Sequence, residues 1–147
     1  MLAISQIENL ISHTKKYLGY LSKFNQFSQK RIFDDIFLRG SLERYLYLVC
    51  QSTLDLGEAY INYRKFRKPT VNKDVFEILH ENGIINAELK EKLCLMSGFR
   101  NIIEHDYVKI DQDKAYDVLT HGLADIKDFI KAIENKLKVH KVYKVKK

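Results

Sequence analysis

The residues best suited to chemistry lie within nine positions, Phe99-Arg100-Asn101-Ile102-Ile103-Glu104-His105-Asp106-Tyr107. Arginine offers a permanently charged fork that matches phosphate oxygens, and histidine can take or give a proton near neutral pH. Cleavage of an RNA phosphodiester needs both, because a base must take the ribose 2′-OH proton and a cation must hold the charge that grows on phosphorus. The spacing Arg-x4-His-x-Tyr therefore makes Arg100 and His105 candidate catalytic residues.

Composition predicts a single helical domain, residues 1–147. The chain is 46% hydrophobic and 30% charged, with one proline and six glycines, and such scarce turn residues disfavour a fold of many strands. The net charge of +6 equals the six lysines of a basic C-terminal tail that begins at about residue 136, since 19 basic and 19 acidic residues remain without it. The tail suggests a polyanionic partner, and a solvated helix end explains it at least as well.

Several function classes are disfavoured by what the sequence lacks. No apolar run approaches the roughly 18 residues of a membrane span, and the N-terminus has no signal-like apolar core, so we expect a cytoplasmic protein with no membrane partner. Two cysteines inside helical patterns are expected to stay reduced. The five histidines are dispersed and no glycine-rich phosphate loop is present, so we expect no metal and no cofactor.

Apolar residues recur every three or four positions, which predicts an all-α bundle of four main helices plus one short helix. The first helix is predicted at about 3–24 and the longest at about 29–66, with Gly40 as a candidate bend. Caps and ends are predicted at Pro69, Asn72, Gly83, Asn86 and Asp111. Basic residues before Pro69 suit the negative end of the long helix, and the aromatics among them, Tyr63 and Phe66, also suit RNA.

Helical projection sorts the fourth helix into two faces. The core-facing arc is apolar and contains Leu89, Leu93, Met96, Phe99, Ile102, Ile103 and Tyr107. The other face carries small or polar residues, namely Cys94, Ser97, Gly98, Asn101 and His105. Small side chains let another backbone approach closely, and a second copy of the chain is the economical candidate, which predicts a homodimer.

The projection also separates the two candidate catalytic residues. Arg100 and His105 are about 140° apart on a regular helix, so both reach one phosphate only if Arg100 swings across, the helix distorts near its end, or a two-fold partner supplies the second group. Plainer interpretations exist for each residue. Arg100 could pair with Glu104, His105 could be an ordinary helix-end histidine, and Tyr107 could belong to the core.

A wider pattern resembles a known family. Its parts, in chain order, are Pro69, Val75-Phe76-Glu77-Ile78-Leu79, Gly83-Ile84-Ile85, Phe99-Arg100-Asn101 with His105-Asp106-Tyr107, and Ile110-Asp111 before Tyr116. Over roughly residues 28–135 this pattern is similar to that of the HepT-like toxin ribonucleases of the HEPN superfamily. Glu104 departs from it, because the family often has an apolar residue there.

The resemblance implies a HEPN-type bundle that acts as a homodimeric, metal-independent endoribonuclease, the toxin of a toxin–antitoxin pair. Carried onto this chain, Arg100 and His105 would be catalytic and Asn101 would help to order the site. Tyr107 would receive AMP from the partner, an MntA-like nucleotidyltransferase antitoxin. Adenylate there would silence the toxin by adding bulk and negative charge beside His105. RNA cleavage would leave a 2′,3′-cyclic phosphate and a 5′-hydroxyl.

Two other function classes are compatible with a helical bundle. One is a non-catalytic helical subunit that binds substrate for a minimal nucleotidyltransferase, and it does not need an Arg-x4-His-x-Tyr set. The other is a plain dimeric interaction module, in which Arg100 and His105 would be dispensable. The presence of the complete set favours the ribonuclease.

Overall fold

A computed structural model describes residues 2–105 and 110–145, with side chains for 3–105 and 110–139. Its four long helices are α1 (Leu2–Ser22), α3 (Ile36–Arg64), α5 (Ala87–Glu104) and α7 (Leu123–Val145). Shorter helices are α2 (Gln29–Asp34), α4 (Asn72–Glu81) and α6 (Gln112–Asp117), with a 3-10 turn at Lys23–Gln26 and a π turn at Val118–Gly122. The described residues contain no strand, and the predicted all-α bundle is confirmed.

The predicted long helix is divided at Asp35, and α3 continues through Gly40. Asp35 has φ −107° and ψ 115°, and its carboxylate accepts hydrogen bonds from the backbone N–H groups of Phe37 (2.8 Å) and Leu38 (3.2 Å). Such a cap satisfies N–H groups that would otherwise lack helical partners, so it compensates for the interruption. α3 ends two residues earlier than predicted, at Arg64, because Lys65 adopts a left-handed conformation with φ 60°.

The start of α4 corrects the prediction that Asn72 caps it. Val71 is the N-cap and Asn72 is the first helical residue. The carboxylate of Asp74 accepts hydrogen bonds from the hydroxyl of Thr70 (2.7 Å) and from the backbone N–H groups of Thr70 (3.1 Å) and Val71 (3.3 Å). These bonds, the hydroxyl's first, lower the pKa of Asp74. Three other predictions are confirmed: Gly83 closes α4, Asn86 caps the start of α5, and Asp111 caps the start of α6.

A tight approach between α3 and α4 fixes the middle of the bundle. A Cβ atom on Gly57 of α3 would lie 2.5 Å from Cγ1 of Val75 in α4, so only glycine fits there. The ring of Phe76 meets Phe129 of α7 edge-on, 5.7 Å between centroids. α1 lies along α3, where the hydroxyl of Thr14 donates to that of Ser52 (2.8 Å). α5 packs against α3 and α4, with its C-terminal end beside the middle of α3.

α7 continues the core and carries the start of the basic tail. Its residues Ile126, Ile130, Ile133 and Leu137 are buried, as the three-four repeat predicted. The helix runs on to Val145, so the described part of the tail is helical. Across residues 2–105 and 110–145, none of the helices is both apolar enough and long enough to cross a membrane.

Candidate active site

The last turn of α5 positions the candidate catalytic residues. Leu93, Met96, Phe99 and Ile103 are buried and anchor the helix in the core, as predicted. The helix ends at Glu104, and His105 follows as its C-cap with φ −92° and ψ 96°. The exposed imidazole of His105 therefore leaves from non-helical backbone. The separation of about 140° that a regular helix imposes on Arg100 and His105 therefore does not apply. Of the three ways in which both residues could reach one phosphate, the structure contains the second, a departure from helical geometry at the end of α5.

Arg100 is held by α3 on one side of its guanidinium. Its Nε donates a hydrogen bond to Oε1 of Gln51 (2.7 Å), and its Cζ lies 5.6 Å from the ring centroid of Tyr47. Nε2 of Gln51 in turn donates to Oδ1 of Asp55 (2.9 Å). A hydrogen bond and a ring face together fix the plane of the guanidinium, so Arg100 is oriented before any ligand binds. Only 12% of its side chain is exposed.

The opposite side of the guanidinium contacts α5 itself. Nη1 of Arg100 donates to Oδ1 of Asn101 (2.8 Å) and to Oε2 of Glu104 (2.8 Å), and Nη2 donates to Oε1 of Glu104 (3.2 Å). The sequence left open an ion pair between Arg100 and Glu104, and this pair is present in addition to the contacts with α3. The ion pair is compatible with a catalytic role for Arg100, because Gln51 would still orient the guanidinium if Glu104 moved away.

Asn101 connects the arginine to the start of α4. Its Oδ1 accepts from Arg100 and also lies 3.4 Å from Nδ2 of Asn72. Asn101 is exposed, and the hydrogen bonds with Arg100 and Asn72 hold its amide oxygen toward Arg100. The geometry is what a residue that orders the site needs. Tyr107, the fourth predicted residue, lies outside the residues that the structure describes.

With this geometry in place, the chain can be compared with known proteins. Residues 7–133 match the family model described as Ribonuclease HepT-like. The chain belongs to the HepT-like ribonuclease family. The match covers every described helix from α2 to α6, most of α1 and the first half of α7, so the resemblance inferred from the motif residues is confirmed at the level of the family.

Two curated relatives and one solved structure illustrate the HepT-like family. The mRNA nuclease HepT of Shewanella oneidensis is 28% identical over 131 residues, 89% of this chain and 92% of that protein. The tRNA nuclease HepT of Aphanizomenon flos-aquae is 25% identical over 139 residues, 91% of this chain and 95% of that protein. The tri-AMPylated S. oneidensis HEPN toxin, solved in complex with an MNT antitoxin, superposes with a TM-score of 0.65 at 28% identity, covering 90% and 94% of the two chains.

The outer face of α5 differs from its projection at two positions. Ser97 was predicted on the small-residue face, away from the core of its own chain, but it is 3% exposed, and its hydroxyl donates to the carbonyl of Cys94 (2.7 Å). Ile102 was predicted in the core, yet it is 38% exposed. The solvent-facing stripe of this HepT-like chain consists of Leu95, Gly98 and Ile102, and Leu95 is 73% exposed.

The basic end of α3 binds its own chain. Arg64 donates from Nη1 to the hydroxyl of Tyr60 (2.7 Å) and stacks over Phe66, with its Cζ 5.1 Å from the ring centroid. Arg67 makes two hydrogen bonds to the carboxylate of Glu81 (2.7 and 3.0 Å), which lower the pKa of that carboxyl. These contacts favour the helix-end interpretation of the basic cluster over RNA binding.

Sequence reasoning missed two side chains that contact Arg100 and one that contacts Asn101. Tyr47 and Gln51 lie on α3, 53 and 49 positions before Arg100, and Asn72 begins α4. A signal was available, because Tyr47, Gln51 and Asp55 recur every four residues and so form one polar line along α3. Cys50, next to Gln51, is not a further nucleophile, since burial raises the pKa of its thiol to about 12.

The described residues offer no ligand set for a metal ion. Among residues 2–105 and 110–145, no three His, Cys, Asp or Glu side chains converge as a metal site requires. His121, the exposed histidine of the π turn, hydrogen-bonds through Nδ1 with Asp117 (3.0 Å) and with the hydroxyl of Thr120 (3.0 Å).

Proposed function

We propose that this chain is a metal-independent endoribonuclease toxin that cleaves RNA with Arg100 and His105. One observation carries the proposal. A guanidinium is fixed at the end of α5 by Gln51 and Tyr47, and a histidine leaves the helix one turn later into solvent. The nuclease names of the two curated relatives, which specify mRNA and tRNA, support RNA as the substrate class.

In the proposed mechanism the two residues divide the work on one phosphodiester. His105 takes the proton of the ribose 2′-OH, whose oxygen attacks phosphorus, or gives a proton to the departing 5′-oxygen. Arg100 donates hydrogen bonds to the nonbridging oxygens, where negative charge increases in the transition state. The P–O5′ bond breaks as the P–O2′ bond forms, which leaves a 2′,3′-cyclic phosphate and a 5′-hydroxyl. Asn101 keeps Arg100 in position.

Incubating the purified protein with end-labelled RNA in EDTA tests the function. We expect endonucleolytic fragments whose ends, read by mass spectrometry, are a 2′,3′-cyclic phosphate and a 5′-hydroxyl. Neither group needs a metal, so added Mg²⁺ should not be required. Intact RNA, cleavage that depends on Mg²⁺, or fragments with 5′-phosphates would each contradict the mechanism.

A nucleotidyltransferase antitoxin of the MntA type is the proposed protein partner, with Tyr107 as the residue that it AMPylates. The support comes from the tri-AMPylated toxin solved with an MNT antitoxin and from the early end of α5. Tyr107 follows His105 by two residues, beyond the last helical residue Glu104. The alternative, a non-catalytic subunit for a nucleotidyltransferase, gives no reason for the ordered guanidinium of Arg100.

Self-association through the outer stripe of α5 is the proposed route to a homodimer. Leu95, Gly98 and Ile102 lie on one line of the helix, and outside the adjoining backbone of α5 no described atom lies within 4 Å of where a Cβ on Gly98 would be. Gly98→Leu should fill that space and force the helices apart, shifting the protein toward monomer in sedimentation at micromolar concentration. Gly19→Leu is the matched control, because Gly19 on α1 is equally open. A wild-type monomer, or equal effects of both substitutions, would refute this interface.

A further inference from the structure

Arg100 has almost no hydrogen-bonding capacity left in this structure. A guanidinium carries five N–H groups. Four of them donate within the chain, one from Nε to Gln51, two from Nη1 to Asn101 and Glu104, and one from Nη2 to Glu104. An RNA phosphate that is to accept two hydrogen bonds side by side from Arg100 must therefore displace a present partner, because a single N–H group on Nη2 is left over.

Glu104 is the partner whose chemistry matches the phosphate. Its two carboxylate oxygens bind Nη1 and Nη2 side by side (2.8 and 3.2 Å), the paired arrangement that an arginine also makes with two phosphate oxygens. Gln51 and Asn101 each offer a single amide oxygen on other edges of the group. Glu104 is thus the anion that occupies the Nη edge.

Glu104 is also the partner that can leave. Its side chain is 44% exposed, at the last helical position of α5, whereas Gln51 is half-buried and is held by Asp55. When Glu104 swings into solvent, Gln51 and the ring of Tyr47 still fix the guanidinium plane. The Nη edge would then face outward without losing its orientation.

We propose that Glu104 occupies the phosphate-binding edge of Arg100 in the RNA-free protein and competes with RNA for it. The inference rests on the proposed function, since it assigns the competitor at that same site. Each binding event must break the Arg100–Glu104 pair, so Glu104 lowers the affinity for RNA and sets how readily the site loads. An apolar residue at position 104 would leave the edge open at all times.

Glu104→Gln tests this competition, because glutamine keeps the shape and removes the charge. Binding is measured by fluorescence anisotropy with a single-stranded 2′-O-methyl oligonucleotide of mixed sequence, which lacks the attacking hydroxyl and stays intact. A partly exposed Arg–Glu pair of this strength predicts about two- to five-fold tighter binding by the variant. The variant site also has one more net positive charge, so the plot of log K against log salt should steepen by about 0.7.

Glu43→Gln is the matched control. Glu43 also pairs with an arginine four residues away, Arg39 (3.4 Å), and its loss changes the net charge by the same amount. The control should bind as the wild type does, so an equal gain in both variants would show a general charge effect and overturn the proposal. Unchanged binding by Glu104→Gln would overturn it too, and weaker binding would make Glu104 an orienting partner of Arg100. If the wild type cleaves RNA, these failures concern Glu104 alone. A wild type that neither binds nor cleaves RNA would overturn the proposed function together with this inference.

Discussion

Replacing His105 with alanine is expected to slow RNA cleavage by roughly 10²–10⁴-fold, the usual contribution of a general acid or base. Alanine removes the only group at this position that can exchange protons near neutral pH. The fold should survive, because His105 is exposed and follows the last helical residue. Single-turnover cleavage of labelled RNA in EDTA measures the loss, and circular dichroism checks the helix content.

His121→Ala provides the matched control for that substitution. His121 is also an exposed histidine close to a helix end, and its ring contacts Thr120 and Asp117, away from Arg100. It should keep the wild-type rate. Cleavage by His105→Ala at the wild-type rate would remove His105 from the mechanism and leave Arg100 without a proton-transfer partner. A similar loss in both variants would point to a general effect of losing a histidine.

Replacing Tyr107 with phenylalanine is expected to abolish AMPylation by the cognate nucleotidyltransferase. The phenol oxygen is the proposed acceptor of AMP, and phenylalanine lacks it while keeping the ring. Intact-mass spectrometry after co-expression should show the wild-type chain gaining mass in steps of one adenylate and the variant gaining none. Because Tyr107 has no part in the proposed cleavage step, the variant should remain an active ribonuclease and stay toxic beside an active partner.

Tyr116→Phe controls for the loss of a tyrosine hydroxyl nearby. Tyr116 lies nine residues later in α6 and is half-buried. That variant should be modified and silenced as the wild type is. An adenylate mass that persists in Tyr107→Phe would place the modification on another residue. If the wild type gains no mass beside an active partner, the antitoxin inhibits by binding and does not modify the toxin.

The sequence was most informative where local rules decide the structure. The side chains of Asn86 and Asp111 cap helices as predicted, and Gly83 takes the positive φ of 74° that ends α4, because each effect depends on a few neighbouring residues. The end of α5 at Glu104 corresponds to one of the options that the sequence left open, a distortion of the helix near its end. The family resemblance rested on such local patterns as well.

Contacts between distant helices were the part that could not be predicted. Gln51 reaches Arg100 only because α3 and α5 pack at one particular register, and helical periodicity does not fix that register. Asp35 divides the long helix for a related reason, since a side-chain cap there competes with the apolar repeat that favours continuation. Ser97 and Ile102 depend on how far α5 is rotated toward its neighbours, which an ideal projection does not contain.

The hydrogen bond between Gln51 and Arg100 joins residues 49 positions apart in the chain, and this separation determines when during synthesis the proposed ribonuclease can become active. Residues 99–107 contain the complete motif, yet in isolation they lack the α3 side chains that orient the guanidinium. A fragment that stops before α5 has those side chains and lacks the motif. During synthesis the proposed toxicity can therefore begin only after the chain has passed residue 105 and α5 has docked, so a chain interrupted before that point should not cleave RNA.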